Sequence, residues 1–387
     1  MQLLAVELLD FRNIPRALVE PHPRFNVFAG DNGQGKTNLL EAIYLVGTLR
    51  SFRASRLDEL VRFGAASARA AARISRRGLE RRYDVEVGAA EAGRAAKKLA
   101  RVDGKPVRAA ADYFGGFNVV LFCPDDLRLP RGAPAARRRF LDRAVWNVEP
   151  GFLKEAQTYE RVLKSRNALL RNGTATPALL DVYDQQLATA GAAIALRRDR
   201  YTRAIAPRVA AAFDRITRSN LPATIRYQSL LSSLSALASD TPFPEATVPL
   251  ATELHAALLR ARPRDLAAGF TTTGPHTDDL DLALDHHPAR LFASQGQLRA
   301  FVLALKVAEI QHLHETSGDA PILLLDDVSS ELDPSRNAFL FSFLAEASGQ
   351  VFITTTDARH VTLPSEPENS QNGRRDFRVF AGAIEAL

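Results

Sequence analysis

Residues 30–37, GDNGQGKT, form a glycine-rich segment between an apolar run and a helical pattern. The preceding residues 25–29 have the largely apolar character of a buried parallel strand. Residues 39–46 then repeat apolar side chains at helical spacing. The segment fits G-x-x-x-x-G-K-[ST], so the sequence predicts a strand, a phosphate-binding loop (P-loop) and a helix in direct succession. An ordinary strand–turn–helix connection is the alternative.

Each residue type in the P-loop suits a bound polyphosphate. Its glycines let the backbone adopt left-handed angles and turn N–H groups toward an anion, and the helix N-terminus adds partial positive charge. We expect Lys36 to reach the β- and γ-phosphates and Thr37 to ligate Mg²⁺. The segment therefore predicts a site for ATP with Mg²⁺. The expected nucleotide contacts here are Gly30, Asp31, Asn32, Gly33, Gln34, Gly35, Lys36, Thr37 and Asn38.

A second nucleotide motif lies at residues 321–333, PILLLDDVSSELD. Its apolar run ends in two carboxylates, as expected of a buried strand that carries acids to its C-terminal edge. Asp326 is predicted to hold Mg²⁺ together with Thr37. Asp327 is placed to polarise the attacking water, although Glu is commoner there in related ATPases. With Lys36, these two acids are the predicted catalytic residues; a core strand that ends in acids at a turn is the alternative.

Residues 292–314 combine a polar turn with a long amphipathic helix. Ser294, Gly296 and Gln297 provide a hydroxyl, a glycine backbone and a helix N-terminus, which together suit another anion. In ABC-type ATPases such a signature turn completes the nucleotide site of the partner subunit. An ordinary helix N-cap is the alternative. Residues 329–333, SSELD, occupy the place of the loop that contacts the partner across the dimer.

The switch position of these ATPases is less clearly matched. Many ABC ATPases have a histidine after the strand that corresponds to residues 351–353. This chain has Thr354–Thr356 and Asp357 instead, with His360 three residues beyond. The sequence therefore leaves the switch residue unassigned.

The span from Thr37 to Ser294 is longer than in transporter ATPases, so it must contain an insertion. It is too short, and too poor in heptads, for the coiled coil of structural-maintenance-of-chromosomes (SMC) ATPases. Residues 152–268 predict several helices, with breaks near Pro222, Pro242 and Pro263. Residues 66–87 alternate loosely and predict antiparallel strands.

The expected fold is α/β: an ABC-type P-loop ATPase head, with a mixed sheet, flanking helices and an antiparallel β-subdomain, plus an inserted, mainly helical domain. Residues 1–115 and 270–387 are the expected ATPase parts, and residues 116–269 are the expected inserted lobe.

Five stretches resemble the RecF family of the ABC/SMC superfamily, and the resemblance covers nearly the whole chain. They are GDNGQGKTNLLEAIYLVG, LFCPDDLRLPRGAPAARRRFLDR, TTTGPHTDDL, ASQGQLRAFVLALKVAE and PILLLDDVSSELD. Thr277 stands where the family usually has Arg, Leu298 stands where a second Gln is common, and residues 51–56 match only loosely. The resemblance implies a homodimer that ATP closes on duplex DNA, usually at single-strand gaps. It also implies cooperation with RecR and RecO to load RecA.

A formal net charge of +6 favours an acidic partner, and few aromatics are interleaved with the basic clusters. Phosphate contacts to duplex DNA are therefore the better interpretation, with ion-paired or solvated helix faces as the alternative. The single cysteine, Cys123, suits a reducing compartment. The acidic N-terminus and the lack of a long apolar stretch favour a cytoplasmic protein without a membrane partner. The clusters are Arg137, Arg138, Arg139 and Arg143; Lys97, Lys98, Arg101, Lys105 and Arg108; and Arg197, Arg198, Arg200 and Arg203.

Three functions remain open on the sequence. A DNA-binding ATPase with slow hydrolysis leads. A non-hydrolytic, ATP-gated clamp or scaffold is second, and the Asp326–Asp327 pair argues mildly against it. A transporter-type ATPase is disfavoured by the insertion and by the basic charge.

Overall fold

The computed structural model describes residues 1–89, 96–108, 113–114, 116–238, 240–347, 349–363 and 373–387. The chain divides into two compact units. Residues 1–127 and 310–387 form one, here called the nucleotide unit, and residues 128–309 form the other, here called the inserted unit. The sequence places its lobe boundaries elsewhere, at residues 115 and 269, and residue 115 lies outside the described residues. Those functional boundaries remain a prediction.

The described helices and strands are numbered separately in chain order. The helices are α1 (Lys36–Thr48), α2 (Pro134–Val148), α3 (Phe152–Asn172), α4 (Pro177–Thr217), α5 (Ser233–Ala236), α6 (Phe243–Ala268), α7 (Ala289–Phe292), α8 (Gln295–Ser317) and α9 (Pro334–Glu346). The strands are β1 (Gln2–Phe11), β2 (Ile14–Val19), β3 (Phe25–Ala29), β4 (Ser67–Arg76), β5 (Leu79–Gly88), β6 (Lys98–Val102), β7 (Lys105–Pro106), β8 (Val119–Phe122), β9 (Ala223–Gln228), β10 (Asp279–Leu284), β11 (His287–Pro288), β12 (Ile322–Asp326), β13 (Val351–Thr355), β14 (Arg374–Phe380) and β15 (Ala383–Ala386).

A six-stranded sheet in the nucleotide unit has the order β15-β14-β3-β13-β12-β8. Strand β3 pairs in parallel with β13 and β14, and β12 pairs in parallel with β13 and β8. Only the terminal β15 is antiparallel to its neighbour. Because parallel strands end at one edge, the loops that follow β3, β12 and β13 meet there.

The second sheet of the nucleotide unit is antiparallel and has the order β2-β1-β4-β5-β6-β7. The alternating pattern over residues 66–87 predicts antiparallel strands, and β4 and β5 are such a pair, joined as a hairpin. Its turn residues Arg77 and Gly78 both have positive φ, 51° and 77°, as a two-residue hairpin turn requires. The buried helix α1 contacts strands of both sheets, so the helix that follows the P-loop forms part of the core.

The inserted unit is mainly helical, with a three-stranded sheet β11-β10-β9. Its α4 has 41 residues and starts at a cap in which the Thr176 side chain accepts from the Leu179 N–H. The break expected near Pro263 is wrong, because α6 runs through Pro249 and Pro263. The two prolines cannot donate backbone hydrogen bonds, but the apolar face of α6 is buried, and this packing stabilises the helix.

A fully buried arginine ties the helices of the inserted unit together. Arg166 on α3 donates to Asp184 on α4 at 2.7 Å and to Asp265 on α6 at 2.8 Å. All three side chains have no accessible surface. Because buried charges need partners, this triad fixes the relative placement of α3, α4 and α6.

Candidate nucleotide site

The glycines of the P-loop are required by the backbone around them. A Cβ at Gly30 would collide with the carbonyl oxygen of Val379 on β14. Gly33 and Gly35 have φ of 81° and 117°, backbone angles that residues other than glycine rarely adopt. The loop therefore turns closely against β14 and enters α1 with its amides grouped at the helix N-terminus.

Lys36 lies folded onto the loop that precedes it. Its Nζ donates to the carbonyl oxygens of Gly30 at 2.5 Å and Asp31 at 2.8 Å, and only 6% of the residue is accessible. Burial lowers the pKa of Lys36, while the charges of Asp327, Asp326 and Asp31 oppose that shift. A phosphate in this loop would offer the ammonium group a stronger, charged acceptor than the two carbonyls.

Thr37 and Asp326, the two predicted Mg²⁺ ligands, are in direct contact. The Thr37 hydroxyl donates to Oδ1 of Asp326 at 2.7 Å. Within the described ranges, no group of three or more His, Cys, Asp or Glu side chains could hold a metal ion. One carboxylate and one hydroxyl still fit Mg²⁺, which keeps waters and phosphate oxygens as its other ligands. The structure thus brings P-loop and acid-bearing strand to a common point.

Asp327 has the features of a proton acceptor. Its φ of 50° is left-handed, and its Oδ1 is buried without a hydrogen-bond partner in the part of the chain that the structure describes. Burial raises the pKa of this carboxyl; Asp326 and Glu331 add to the rise, while Ser330 and Lys36 counteract it. A carboxylate with an open lone pair and a raised pKa suits general-base chemistry on a water molecule.

Thr354 is a site residue to which the sequence assigned no role. Its hydroxyl donates to Oδ1 of Asp326 at 2.9 Å and accepts from the backbone N–H of Asp327 at 3.0 Å. The residue is fully buried at the end of β13. One hydroxyl therefore positions both acids. The available sequence signal was a threonine near the end of a predicted strand. This signal could not be used, because the sequence does not show that β13 lies next to β12 in the sheet.

The predicted switch segment continues from Thr354 toward the surface. Asp357 is ion-paired with Arg359, and His360 is exposed. Asp357 also caps the short turn that follows, by accepting from the Arg359 N–H. The segment is thus ordered by its own contacts, and the assignment of a switch residue remains open.

Two neighbouring turns support the outside of the P-loop. The Asn13 side chain, in the β1–β2 turn, donates to the carbonyl oxygen of Gln34 at 3.1 Å and accepts from the Asn38 side chain at 2.7 Å. In the β14–β15 turn, the N–H groups of Ala381 and Gly382 donate to the side chain and backbone of Gln34. Gln34 and Asn38 thus act here as loop supports.

A partly buried ion pair lies next to the β1–β2 turn. Glu41 on α1 has no accessible surface and accepts two hydrogen bonds of 2.9 Å from Arg12. Ser51 also contacts this carboxylate. A glutamate on the buried face of a predicted helix indicates that a basic side chain pairs with it, but the sequence does not show which arginine does so.

The signature turn belongs to the inserted unit. There the Ser294 N–H donates to the Gln297 side chain at 2.8 Å, and the Gln297 N–H donates to the Ser294 hydroxyl at 3.2 Å. This reciprocal capping box starts α8 and leaves Ser294 exposed. Two of the three departures from the family pattern are single residues: Leu298 is buried, and Thr277 is exposed and donates to the Gly274 carbonyl.

Several arginines of the basic clusters are structural. Arg137 makes a bidentate pair with Asp279 at 2.7 and 2.8 Å, and Arg198 makes one with Asp142 at 2.7 and 3.0 Å. Arg197 is paired with two glutamates. The ion-pair interpretation therefore holds for these three. Exposed members of the clusters are Lys97, Lys98, Lys105, Arg108, Arg139 and Arg203.

Comparisons with known proteins agree on one family. Residues 2–368 match the model of the RecF/RecN/SMC N terminal domain. A "DNA replication and repair protein RecF" of Myxococcus xanthus is 47% identical over 358 residues, 92% of this chain and 91% of that protein. One of the same description from Anaeromyxobacter dehalogenans strain 2CP-C is 46% identical and covers 100% of both chains.

Solved structures give the same result for the fold. A structure of the "recombination mediator protein RecF-ATPrS in RecFOR pathway" has a TM-score of 0.85, at 28% identity, over 100% of this chain and 98% of that one. The SMC head bound to the C-winged helix domain of ScpA has a TM-score of 0.53 at 16% identity, and the match covers 100% of this chain and 98% of that one. The expected ABC-type head with an inserted, mainly helical part is confirmed.

Proposed function

We propose that this chain, which belongs to the RecF family, is an ATP-dependent DNA-binding protein of recombinational repair and replication-fork maintenance. Two copies close on duplex DNA while ATP is bound, and slow hydrolysis releases them. The observation that carries the proposal is the contact of Thr37 with Asp326, because it joins P-loop and acid-bearing strand in one site. A relative's structure is described as RecF with ATP in the same pathway.

In the nucleotide unit, different residues bind the phosphates, bind Mg²⁺ and support the P-loop. Lys36 exchanges its carbonyl acceptors for the β- and γ-phosphates, and the loop amides at the start of α1 surround the phosphate oxygens. Thr37 and Asp326 would hold Mg²⁺, which when bound neutralises charge on the phosphates. Asn13 and the β14–β15 turn hold the loop in shape through Gln34.

Hydrolysis requires a base that is held in place. Asp327 accepts a proton from the attacking water, since its Oδ1 has an open lone pair and its pKa is raised. Thr354 holds the Asp327 backbone and the Asp326 carboxylate together. This arrangement favours an ATPase over the second candidate, a purely ATP-gated clamp that does not hydrolyse.

Closure of the dimer involves the inserted unit. The exposed Ser294 hydroxyl and the N-terminus of α8 face the γ-phosphate held by the second copy. ATP then forms part of the interface, and loss of its γ-phosphate opens the dimer. Gly296 keeps the turn small enough for close approach, and Gln297 shapes it through the capping box.

DNA contacts are assigned to the exposed basic residues, with phosphates as the main target. The preferred DNA is duplex next to a single-strand gap. RecR and RecO are the proposed partners in loading RecA, in line with the relative that is described as a mediator in the RecFOR pathway. Among described helices, none is both long and apolar enough to cross a membrane. A transporter-type ATPase is the least favoured function.

The test combines ATPase and sedimentation measurements on the whole chain. We expect slow ATP hydrolysis that duplex DNA stimulates, and ATP-dependent dimers. Ser294→Arg should leave nucleotide affinity near normal while dimerisation, hydrolysis and tight DNA binding are lost together. An ATPase that ignores DNA, or a Ser294→Arg protein that dimerises and hydrolyses normally, would overturn the shared-site mechanism.

A further inference from the structure

Two large apolar side chains stand exposed just before the signature turn. Leu291 and Phe292 end α7, and 69% and 66% of their surfaces are accessible. The next residue, Ala293, is buried, and its N–H donates to the Ala289 carbonyl at 3.0 Å. Leu291, Phe292 and Ser294 are therefore exposed on either side of the buried Ala293.

Phe292 is held in place by a neighbouring ring. Its centroid lies 4.9 Å from that of His287, with the two planes at 42°. The backbone of His287 is fixed, because the residue pairs with Leu284 across the β10–β11 hairpin. An exposed aromatic side chain that is already positioned loses little conformational freedom when a partner covers it.

We propose that Leu291 and Phe292 are the apolar anchor with which each copy of the chain contacts the second copy in the ATP-closed dimer. The proposal rests on the proposed function, specifically on Ser294 facing the phosphate of the second copy. Neighbouring Cα atoms are about 3.8 Å apart, so Phe292 lies within about 8 Å of Ser294 along the backbone. A specific interface buries about 800 Å² on each partner, an area large enough to include both Ser294 and the side chains next to it in the chain.

The chemistry of the pair selects a protein surface as occupant. Leucine and phenylalanine offer no hydrogen bond to a phosphate, and protein–DNA interfaces are polar and positively charged. Aromatic side chains, in contrast, are enriched in protein–protein interfaces, where a few residues buried near the centre carry most of the binding energy. The signature turn thus recognises the phosphate, and the adjoining apolar pair supplies affinity between the copies.

The test measures ATP-induced dimerisation by sedimentation in an Asp327→Asn background, in which hydrolysis is expected to be blocked and ATP to stay bound. Phe292→Asp should weaken the dimer by about 30-fold or more, because an aromatic anchor contributes about 2 kcal/mol or more at such a site. Leu291→Asp should act in the same direction. Val248→Asp is the matched control: Val248 on α6 is 65% exposed, and its substitution should leave the dimer constant unchanged.

Calorimetry of ATP binding and thermal unfolding of each variant show that the substituted chains are folded. Phe292→Leu should keep most of the dimerisation, since it retains an apolar side chain. The proposal is overturned if Phe292→Asp and Leu291→Asp dimerise as the parent does while Ser294→Arg does not; the proposed function then stands alone. If the parent itself forms no dimer with ATP, both the proposed function and this proposal are overturned.

Discussion

The hydroxyl of Thr37 donates to Oδ1 of Asp326 at 2.7 Å, although 289 positions separate the two residues in the chain. One belongs to the first turn of α1 and the other to the end of β12. They meet because β3 and β12 are parallel members of one sheet, so that the loops after them open at the same edge. We propose that a nucleotide-bound cation lies at this contact.

Thr37→Ala should remove one cation ligand without removing the phosphate loop. We expect weaker ATP binding in the presence of Mg²⁺, loss of hydrolysis, and little change in affinity when EDTA is present. Thr37→Ser keeps the hydroxyl and should behave as the parent. Calorimetric titration with and without Mg²⁺ measures this; an equal loss under both conditions would contradict a role in holding the cation.

Lys36→Ala should abolish tight nucleotide binding. A charged hydrogen bond contributes about 1.5–3 kcal/mol, so affinity should fall by about 10- to 150-fold or more. Lys105→Ala, at an exposed lysine of the same unit, is the control and should bind ATP normally. Unchanged affinity of the Lys36 variant in calorimetry would refute the P-loop assignment.

Thr354→Val tests the positioning of the two acids. The substitution keeps the shape of the side chain but removes the hydroxyl that contacts Asp326 and the Asp327 N–H. Because a buried N–H loses its acceptor, stability should fall by about 1–3 kcal/mol. The rate constant for hydrolysis should fall while KM for ATP changes little, and Thr354→Ser should restore it. A change confined to stability would mean a purely structural role.

Asp327→Asn should separate hydrolysis from closure and reveal the raised pKa. The amide cannot accept the proton, so an ATP-bound dimer should accumulate on DNA. Because burial raises the pKa of the folded carboxyl, its destabilising effect is absent at acid pH and appears as the pH rises through that pKa. The variant should therefore be more stable than the parent at neutral pH, and the difference should vanish toward acid pH. Thermal unfolding across that range checks the sign.

Arg137→Ala and Arg139→Ala should behave differently although the two residues lie two positions apart. Arg137 is buried and paired with Asp279, so its loss should cost about 1.5–3 kcal/mol of stability. Arg139 is exposed, and its loss should stay within about 0.5 kcal/mol. If Arg139 contacts a DNA phosphate, the salt slope of log K should fall by about 0.9. A uniform loss of stability in both variants would contradict this division.

Features that depend on neighbouring residues were predictable from the amino-acid sequence. A glycine-rich turn, a lysine and a threonine between a strand and a helix define a phosphate loop locally, because backbone freedom and helix N-terminus come from adjacent positions. The apolar run that ends in Asp326 and Asp327 is likewise a local pattern, as is the alternation that produced β4 and β5. The order of these motifs then sufficed for the fold class.

Which distant groups share a contact became known from the folded structure. The position of Thr354 between the two acids depends on β13 lying beside β12, and the partner of the buried Glu41 depends on where the β1–β2 turn folds. The same holds for the arginine clusters, where composition cannot distinguish Arg137, paired with Asp279, from the exposed Arg139. Burial and pairing of charges depend on long-range packing, because a charge that leaves water requires a partner which the chain supplies from elsewhere.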